Sequence, residues 1–186
     1  EEMQEKYPDA EICVFDSICA SGGHGLLIYH AIENKKKGMS VKENMQALEE
    51  LKHRIVHKFT VDDLTYLQRG GRISKTAAVI GGMLQLKPVL HVDTEGRLAA
   101  ESKVRGRKKA LNQLLAEMDI CTGGYADKQD VVLICHADCP EDAEYVRAKV
   151  EEKYHPNKII MSEVGPIVGA HVGPGTMVLI FEGDKR

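Results

Sequence analysis

One histidine lies within a stretch of glycine and proline near the end of the chain. The segment GPIVGAHVGPGT, residues 165–176, places His171 among four glycines and two prolines. Glycines permit positive φ and a close approach of backbone N–H groups to a ligand, and an imidazole can donate to a carboxylate or a phosphate. The stretch therefore predicts an anion site beside His171. A packed histidine in a Gly/Pro turn is the alternative.

Two arginine clusters could bind an anion or a charged partner. Arg69 and Arg72 bracket a glycine pair in RGGRIS, where the guanidinium groups could bind phosphate or carboxylates. Glycine and arginine at a helix end are the structural alternative. Further along, KVRGRKK (103–109) holds five cations in seven residues. This run is either a solvated face or a docking site for an acidic partner.

Two other motifs give weaker signals. CASGGHG (19–25) resembles a phosphate-binding turn but lacks the GxGxxG and GxxxxGKS/T spacings, so a turn with Ser21 as a helix cap is predicted. In CHADC (135–139), Cys135 and His136 would point to opposite faces of a strand, which disfavours a shared metal ion. No serine has an identifiable His/Asp relay, so neither catalytic nor metal-binding residues are predicted.

Composition restricts the class of protein. A chain of 186 residues can form one good core or two small ones. Its net charge of −3 disfavours a general nucleic-acid surface. The absence of a long apolar run and the acidic start disfavour stable membrane insertion and a signal peptide, so a cytoplasmic location is expected. The five cysteines form no CxxC pair and are predicted to be free thiols.

Short apolar runs alternate with longer helical periods, which predicts an α/β fold. A helix should begin at Ser40 with Glu43 completing a capping box, and Glu95-Gly96 should form a hairpin turn. Short helices are expected in DDLTYLQRGGRIS and KTAAVIGGML. The predicted strands are ICVF (12–15), HKFTV (57–61), QLKPVLHV (85–92), DVVLICHA (130–137), NKIIMSE (157–163) and MVLIFEG (177–183).

Six blocks, in order along the chain, resemble the DegV family of fatty-acid-binding proteins that serve bacterial fatty acid kinase. They are VFDSICASGGHGLL, FTVDDLTYLQRGGRIS, LKPVL, KVRGRKKAL, ICHAD and GPIVGAHVGPG. The resemblance implies a two-domain α/β fold with a mixed sheet in the second domain. Residues 1–56 would be the tail of the first domain and residues 57–186 most of the second. Family members are longer at the N-terminus, so half of the head-group site is expected to precede residue 1.

The resemblance also implies a function. Such a protein holds a long-chain fatty acid in an apolar tunnel without catalysing a reaction or using a cofactor, and it presents the carboxylate to a separate fatty acid kinase that forms an acyl phosphate. His171, with Gly169 and Ala170, matches the family motif and would bind the carboxylate. Arg105 or Arg107 would contact the kinase or the phosphoryl group, and the resemblance leaves this choice open.

The acyl chain would pack against the glycine-punctuated apolar run that contains Ile80, Met83 and Leu84, and against Ile167, although plain core packing explains such residues equally well. An open tunnel wall would favour a homo-oligomer. A phosphotransferase or kinase subunit that uses its glycine-rich turns for phosphate is the alternative function, and an interaction domain that docks through KVRGRKK is a third.

Overall fold

The computed structural model describes residues 1–74 and 86–186. Two short 3₁₀ segments, Lys52–Arg54 and Gly123–Lys128, accompany the regular elements. The α-helices in these ranges are α1 (Glu2–Lys6), α2 (Gly22–Lys36), α3 (Val41–Leu51), α4 (Leu64–Arg69), α5 (Arg107–Thr122), α6 (Pro140–Tyr154) and α7 (Pro166–Val172). The strands are β1 (Ile55–Thr60), β2 (Leu86–Val92), β3 (Leu98–Arg105), β4 (Val131–His136), β5 (Lys158–Glu163) and β6 (Met177–Glu182).

The six strands form one mixed sheet in the order β3-β2-β1-β6-β4-β5, which confirms the α/β prediction. All neighbours are antiparallel except β4 and β5, which are parallel and are connected through α6. In the central pair, Phe59 of β1 lies opposite Val178 of β6. On its other side, Phe59 lies opposite Leu90 of β2. This register places three large apolar side chains in one row on the same sheet face.

Helices cover both faces of the sheet, so the central strands β1, β4 and β6 are buried on both sides, whereas the edge strands β3 and β5 are partly exposed. One apolar cluster joins Leu26 of α2 and Leu67 of α4 to Phe59 of β1. The other joins Leu114 of α5 to Phe181 of β6. Successive residues of a strand point to opposite faces, and β1 is buried at all six positions. Odd-numbered β1 residues therefore face the α2–α4 side, where the candidate site lies.

Several local predictions are confirmed. Ser40 is the N-cap of α3: its hydroxyl accepts from the Glu43 N–H, and the Glu43 carboxylate accepts from the Ser40 N–H, which completes the capping box. The turn between β2 and β3 contains Gly96 at a φ of +79°, a conformation that favours glycine. The predicted capping role of Ser21 is wrong: Ser21 precedes α2, but its side chain makes no capping hydrogen bond and its φ is +49°.

The strand predicted at residues 12–15 is wrong. The segment has no regular structure, and Val14 is 92% exposed. A strand is stabilised by backbone pairing with a neighbour, and no strand within the described ranges pairs with this segment. Apolar composition alone was therefore an insufficient signal. The helix expected in KTAAVIGGML falls within residues 75–84, which lie outside the described residues.

The predicted division between residues 56 and 57 falls inside β1. Helices α2 and α3, which precede that point, contribute Leu27 and Leu48 to the same apolar cluster as Phe59. The two-domain division stays a prediction. None of the helices in the described part of the chain is long and apolar enough to cross a membrane.

Candidate functional site

A mostly apolar cavity of about 280 Å³ lies between the sheet and the helices on the α2–α4 side. Strands and the β2–β3 turn contribute His57, Phe59, Val92, Gly96, Leu98 and Val178. The segments around the helices contribute Ala20, Ser21, Leu67, Arg72, Ile167, Val168, His171 and Val172. Alkyl and aromatic groups dominate this lining, while a few polar groups could fix the orientation of a ligand. Such a combination is typical of small-molecule sites.

The cavity unites two motifs that are about a hundred residues apart in the sequence. His171 of the GAHVGPG motif and Arg72 of the RGGRIS motif both line it. A Cβ atom added to Gly70 would lie 2.1 Å from Nδ1 of His171, so the glycine is needed for the imidazole to pack there. Arg72 is held nearby because its Nη1 donates to the carbonyl of Gly70 at 2.7 Å. The pair of positive or protonatable groups makes this part of the cavity suited to an anion.

The first half of the glycine-rich segment is helical. Residues Pro166–Val172 form α7, with Gly165 as its N-cap, and His171 lies in the last turn. Proline is favourable at the first position of a helix, and Gly173 ends the helix at a φ of +76°. The carboxyl end of a helix favours a cation, so an anion beside His171 must be attracted by the side chains and not by this helix end.

The structure separates the residues expected to bind the fatty acid. His171 and Ile167 line the cavity, and Ile167 is 80% exposed at its edge. Gly169 and Ala170 belong to α7 but do not line the cavity, and the N–H of Gly169 already donates to the carbonyl of Gly165 at 2.8 Å. Ile80, Met83 and Leu84 lie outside the described residues.

His57 is a cavity residue that the sequence analysis missed. The residue is 2% exposed, and neither ring nitrogen makes a well-aligned hydrogen bond within the described residues, although the carbonyls of Ala20 and Ile55 lie near the ring. Burial lowers the pKa of His57 to about 3, the positive charge of Arg186 acts in the same direction, and the carbonyls of Ala20 and Ile55 partly oppose it. The imidazole is therefore neutral. The alternation in HKFTV, which places His57 and Phe59 on one strand face, was the signal available in the sequence.

The glycines of CASGGHG have a packing role. A Cβ atom on Gly22 would lie 2.6 Å from Sγ of Cys135, and one on Gly23 would lie 1.9 Å from Nε2 of His57. Both glycines therefore allow the start of α2 to approach the sheet closely. This arrangement agrees with the predicted turn and gives no support to a phosphate cradle.

The two arginines considered for a partner contact have different surroundings. Arg105 ends β3 and is exposed, with no ion pair among the residues that the structure describes. Arg107 begins α5 and is half-buried. Its Nε donates to Oδ2 of Asp142 at 2.7 Å, and its Nη1 lies 3.4 Å from Oδ1 of Asp62. Arg107 thus joins α5 to α6 and to the segment after β1, whereas Arg105 is available to a partner.

Arg107 also lines a charged groove of about 530 Å³ with Asp63, Lys87 and Asp138. Although this groove is larger than the apolar cavity, its charged lining is unsuited to an alkyl chain. In the neighbouring CHADC motif, Nδ1 of His136 accepts from the N–H of Cys139 at 3.4 Å. Over residues 1–74 and 86–186, no group of three or more His, Cys, Asp or Glu side chains is placed to hold a metal ion.

Comparisons with known proteins identify the family. The family model described as "Uncharacterised protein, DegV family" matches residues 1–184. A DegV domain-containing protein of Clostridium perfringens is 42% identical over all 186 residues, which cover 63% of that relative's length.

Solved structures share the fold. DegV of Bacillus subtilis, described as a fatty acid binding protein, is 31% identical with a TM-score of 0.78; the match covers 94% of this chain and 61% of that one. The Streptococcus pneumoniae fatty acid kinase B3 protein, solved loaded with linoleic acid, has a TM-score of 0.86 at 21% identity, with 97% of this chain and 63% of that one covered. The extent of the family match and the identity to the C. perfringens relative show that this chain belongs to the DegV family.

Proposed function

We propose that the apolar cavity holds the acyl chain of a long-chain fatty acid and that the protein presents the acid's carboxylate to a separate fatty acid kinase. The observation that carries the proposal is the apolar cavity with His171 and Arg72 in its lining. Each CH₂ group removed from water contributes about 0.8 kcal/mol, so affinity comes from the chain while the polar pair fixes its direction. The linoleic acid bound to the Streptococcus pneumoniae protein and the description of Bacillus subtilis DegV as a fatty acid binding protein support this assignment.

The head group is assigned to His171 and Arg72 on chemical grounds. A guanidinium can bind a carboxylate through two charge-assisted hydrogen bonds, and an imidazole can donate a third. Arg72 is exposed and His171 is half-buried, so the carboxylate would remain accessible to a kinase. On this assignment the protein positions the substrate, and the kinase supplies the phosphoryl transfer. Because close packing against the sheet explains the glycines of CASGGHG, these glycines do not support the alternative function of a phosphotransferase.

The test of the head-group assignment is His171→Ala in the longest natural polypeptide that contains this chain. Loss of a charge-assisted hydrogen bond should weaken the affinity for palmitate about tenfold or more, measured by isothermal titration calorimetry. The melting temperature should change little, because His171 lies at the cavity and not in the packed core. His24→Ala, at an exposed position of α2, is the matched control. Unchanged palmitate affinity in His171→Ala would refute the assignment.

We propose further that Arg105, and not Arg107, contacts the kinase. Arg105→Ala should lower the rate at which the kinase uses bound fatty acid and should weaken the salt dependence of that rate, since exposed charges steer association. Fatty acid occupancy, measured by native mass spectrometry, should not change. Arg107→Ala should instead lower the free energy of unfolding, because Asp142 loses its ion-pair partner and Asp62 keeps only Lys87. Full turnover with Arg105→Ala at low salt would contradict the proposal.

A further inference from the structure

His57 is a polar group of the cavity that the proposed head-group site does not use. It is almost completely buried; the carbonyls of Ala20 and Ile55 lie near the ring, but neither nitrogen makes a well-aligned hydrogen bond within the described residues. A buried polar group without a partner is unfavourable because it has lost its hydrogen bonds to water. Such groups are uncommon in folded proteins, and one at a ligand cavity indicates a partner that arrives with the ligand.

The location of His57 separates it from the head-group site. It belongs to β1 and lies opposite Ile180 of β6, beneath the start of α2, where Nε2 packs against Gly23. His171 and Arg72, by contrast, come from the helical side of the cavity. His57 nevertheless contributes to the lining of the cavity, so a molecule held there can contact the imidazole.

The chemistry of His57 favours a neutral oxygen over a carboxylate. A neutral imidazole has one N–H donor and one nitrogen acceptor, which match a hydroxyl group in both directions. A carboxylate at this depth would lose its hydration without gaining a cation from the imidazole, whereas Arg72 offers a cation at the exposed side of the cavity. The two positions are therefore suited to different parts of one molecule.

We propose that His57 hydrogen-bonds an oxygen atom carried on the acyl chain, so that the protein accepts hydroxy or keto long-chain acids as well as, or better than, unsubstituted acids. This inference rests on the proposed function. A wall made of alkyl and aromatic groups alone would disfavour a hydroxyl group at every position of the chain. With His57 in the wall, a hydroxyl group on the carbon atom that lies beside the imidazole can form a hydrogen bond in place of the one it lost to water.

The experiment compares stearic acid with a positional series of monohydroxystearic acids, in which the hydroxyl moves from beside the carboxyl group to mid-chain. Dissociation constants are measured by calorimetry on the longest natural form of the protein. In the wild type, one member of the series should bind at least as tightly as stearic acid. In His57→Leu, the dissociation constant of that member should rise about fivefold relative to the dissociation constant of stearic acid. A change of this size corresponds to the net contribution of one hydrogen bond. His57→Gln should retain part of the preference.

Phe59→Leu is the matched control, because Phe59 also lines the cavity from β1 but cannot hydrogen-bond. It should change the affinity for stearic acid and the hydroxy acid alike. The inference is overturned if wild-type protein binds stearic acid but disfavours the hydroxyl at every position, a result that needs no folded variant. It is also overturned if His57→Leu keeps the wild-type preference. If the wild type binds neither class of acid, the proposed function fails as well.

Discussion

Acidification should destabilise the protein through His57. The pKa of His57 in the folded chain is about 3, against 6.5 for an unperturbed histidine. Because the folded-state pKa is lowered, the unfolded chain binds the proton more readily between these two values. The stability that depends on a neutral His57 is fully present above pH 6.5 and is lost as the pH falls from there towards 3.

The size of the effect follows from the same values. Each pH unit below 6.5 costs about 1.4 kcal/mol until the folded-state pKa is approached, so a fall from about pH 7 to about pH 5 should remove about 2 kcal/mol. For a domain of marginal stability, this is a substantial part of the free energy of unfolding. Urea unfolding followed by circular dichroism at both pH values measures the loss.

A variant isolates the contribution of His57 from the other titrating groups. In His57→Leu, the loss of unfolding free energy between the two pH values should be smaller than in the wild type by about 2 kcal/mol. His24→Leu, at an exposed position, should lose as much as the wild type. An equal loss in wild type and His57→Leu would refute the reasoning, since it would mean that His57 titrates alike in the folded and unfolded chain.

Two further changes test the packing around the site. Gly23→Ala should lower the unfolding free energy by about 1–3 kcal/mol in urea titrations, because its Cβ would overlap the cavity imidazole, whereas Gly25→Ala in the same helix should be neutral or stabilising. Glu101→Gln should cost about 2 kcal/mol or more, because the buried Lys58 ammonium, 2.8 Å from Glu101, would lose its counter-charge. Glu95→Gln, on the same hairpin but in an exposed pair, should change little in the same assay. If Gly23→Ala and Gly25→Ala lowered the unfolding free energy equally, the packing role of Gly23 would be contradicted. Equal losses in Glu101→Gln and Glu95→Gln would contradict the role of Glu101 as the counter-charge of Lys58.

The parts of the fold that the sequence predicted correctly are those set by local rules. Ser40 and Glu43 form a capping box because the interaction spans only three residues, and Gly96 marks a turn because the required φ is positive. Buried strands such as β4 were recognisable from continuous apolar runs. The strand predicted at residues 12–15 failed because pairing depends on a partner elsewhere, which composition does not report.

The candidate site shows the same division. From the sequence, His171 was a candidate for anion binding, and RGGRIS was a separate cluster with a structural alternative. Local patterns carried no indication that Gly70 makes room for the His171 ring or that Arg72 lines the same cavity. His57 was read only as part of a strand, because its burial depends on α2 reaching the sheet through Gly23.

The sequence by itself determined the family, through six ordered motifs, and the alternation of helices and strands, through periodicity and capping. The tertiary structure alone decided which motifs share a cavity, which of Arg105 and Arg107 is held by carboxylates, and which histidine is buried without a partner. The physical reason is distance along the chain. Propensities and caps act over a few residues, whereas burial, desolvation and ion pairing depend on groups that only the packed fold brings together.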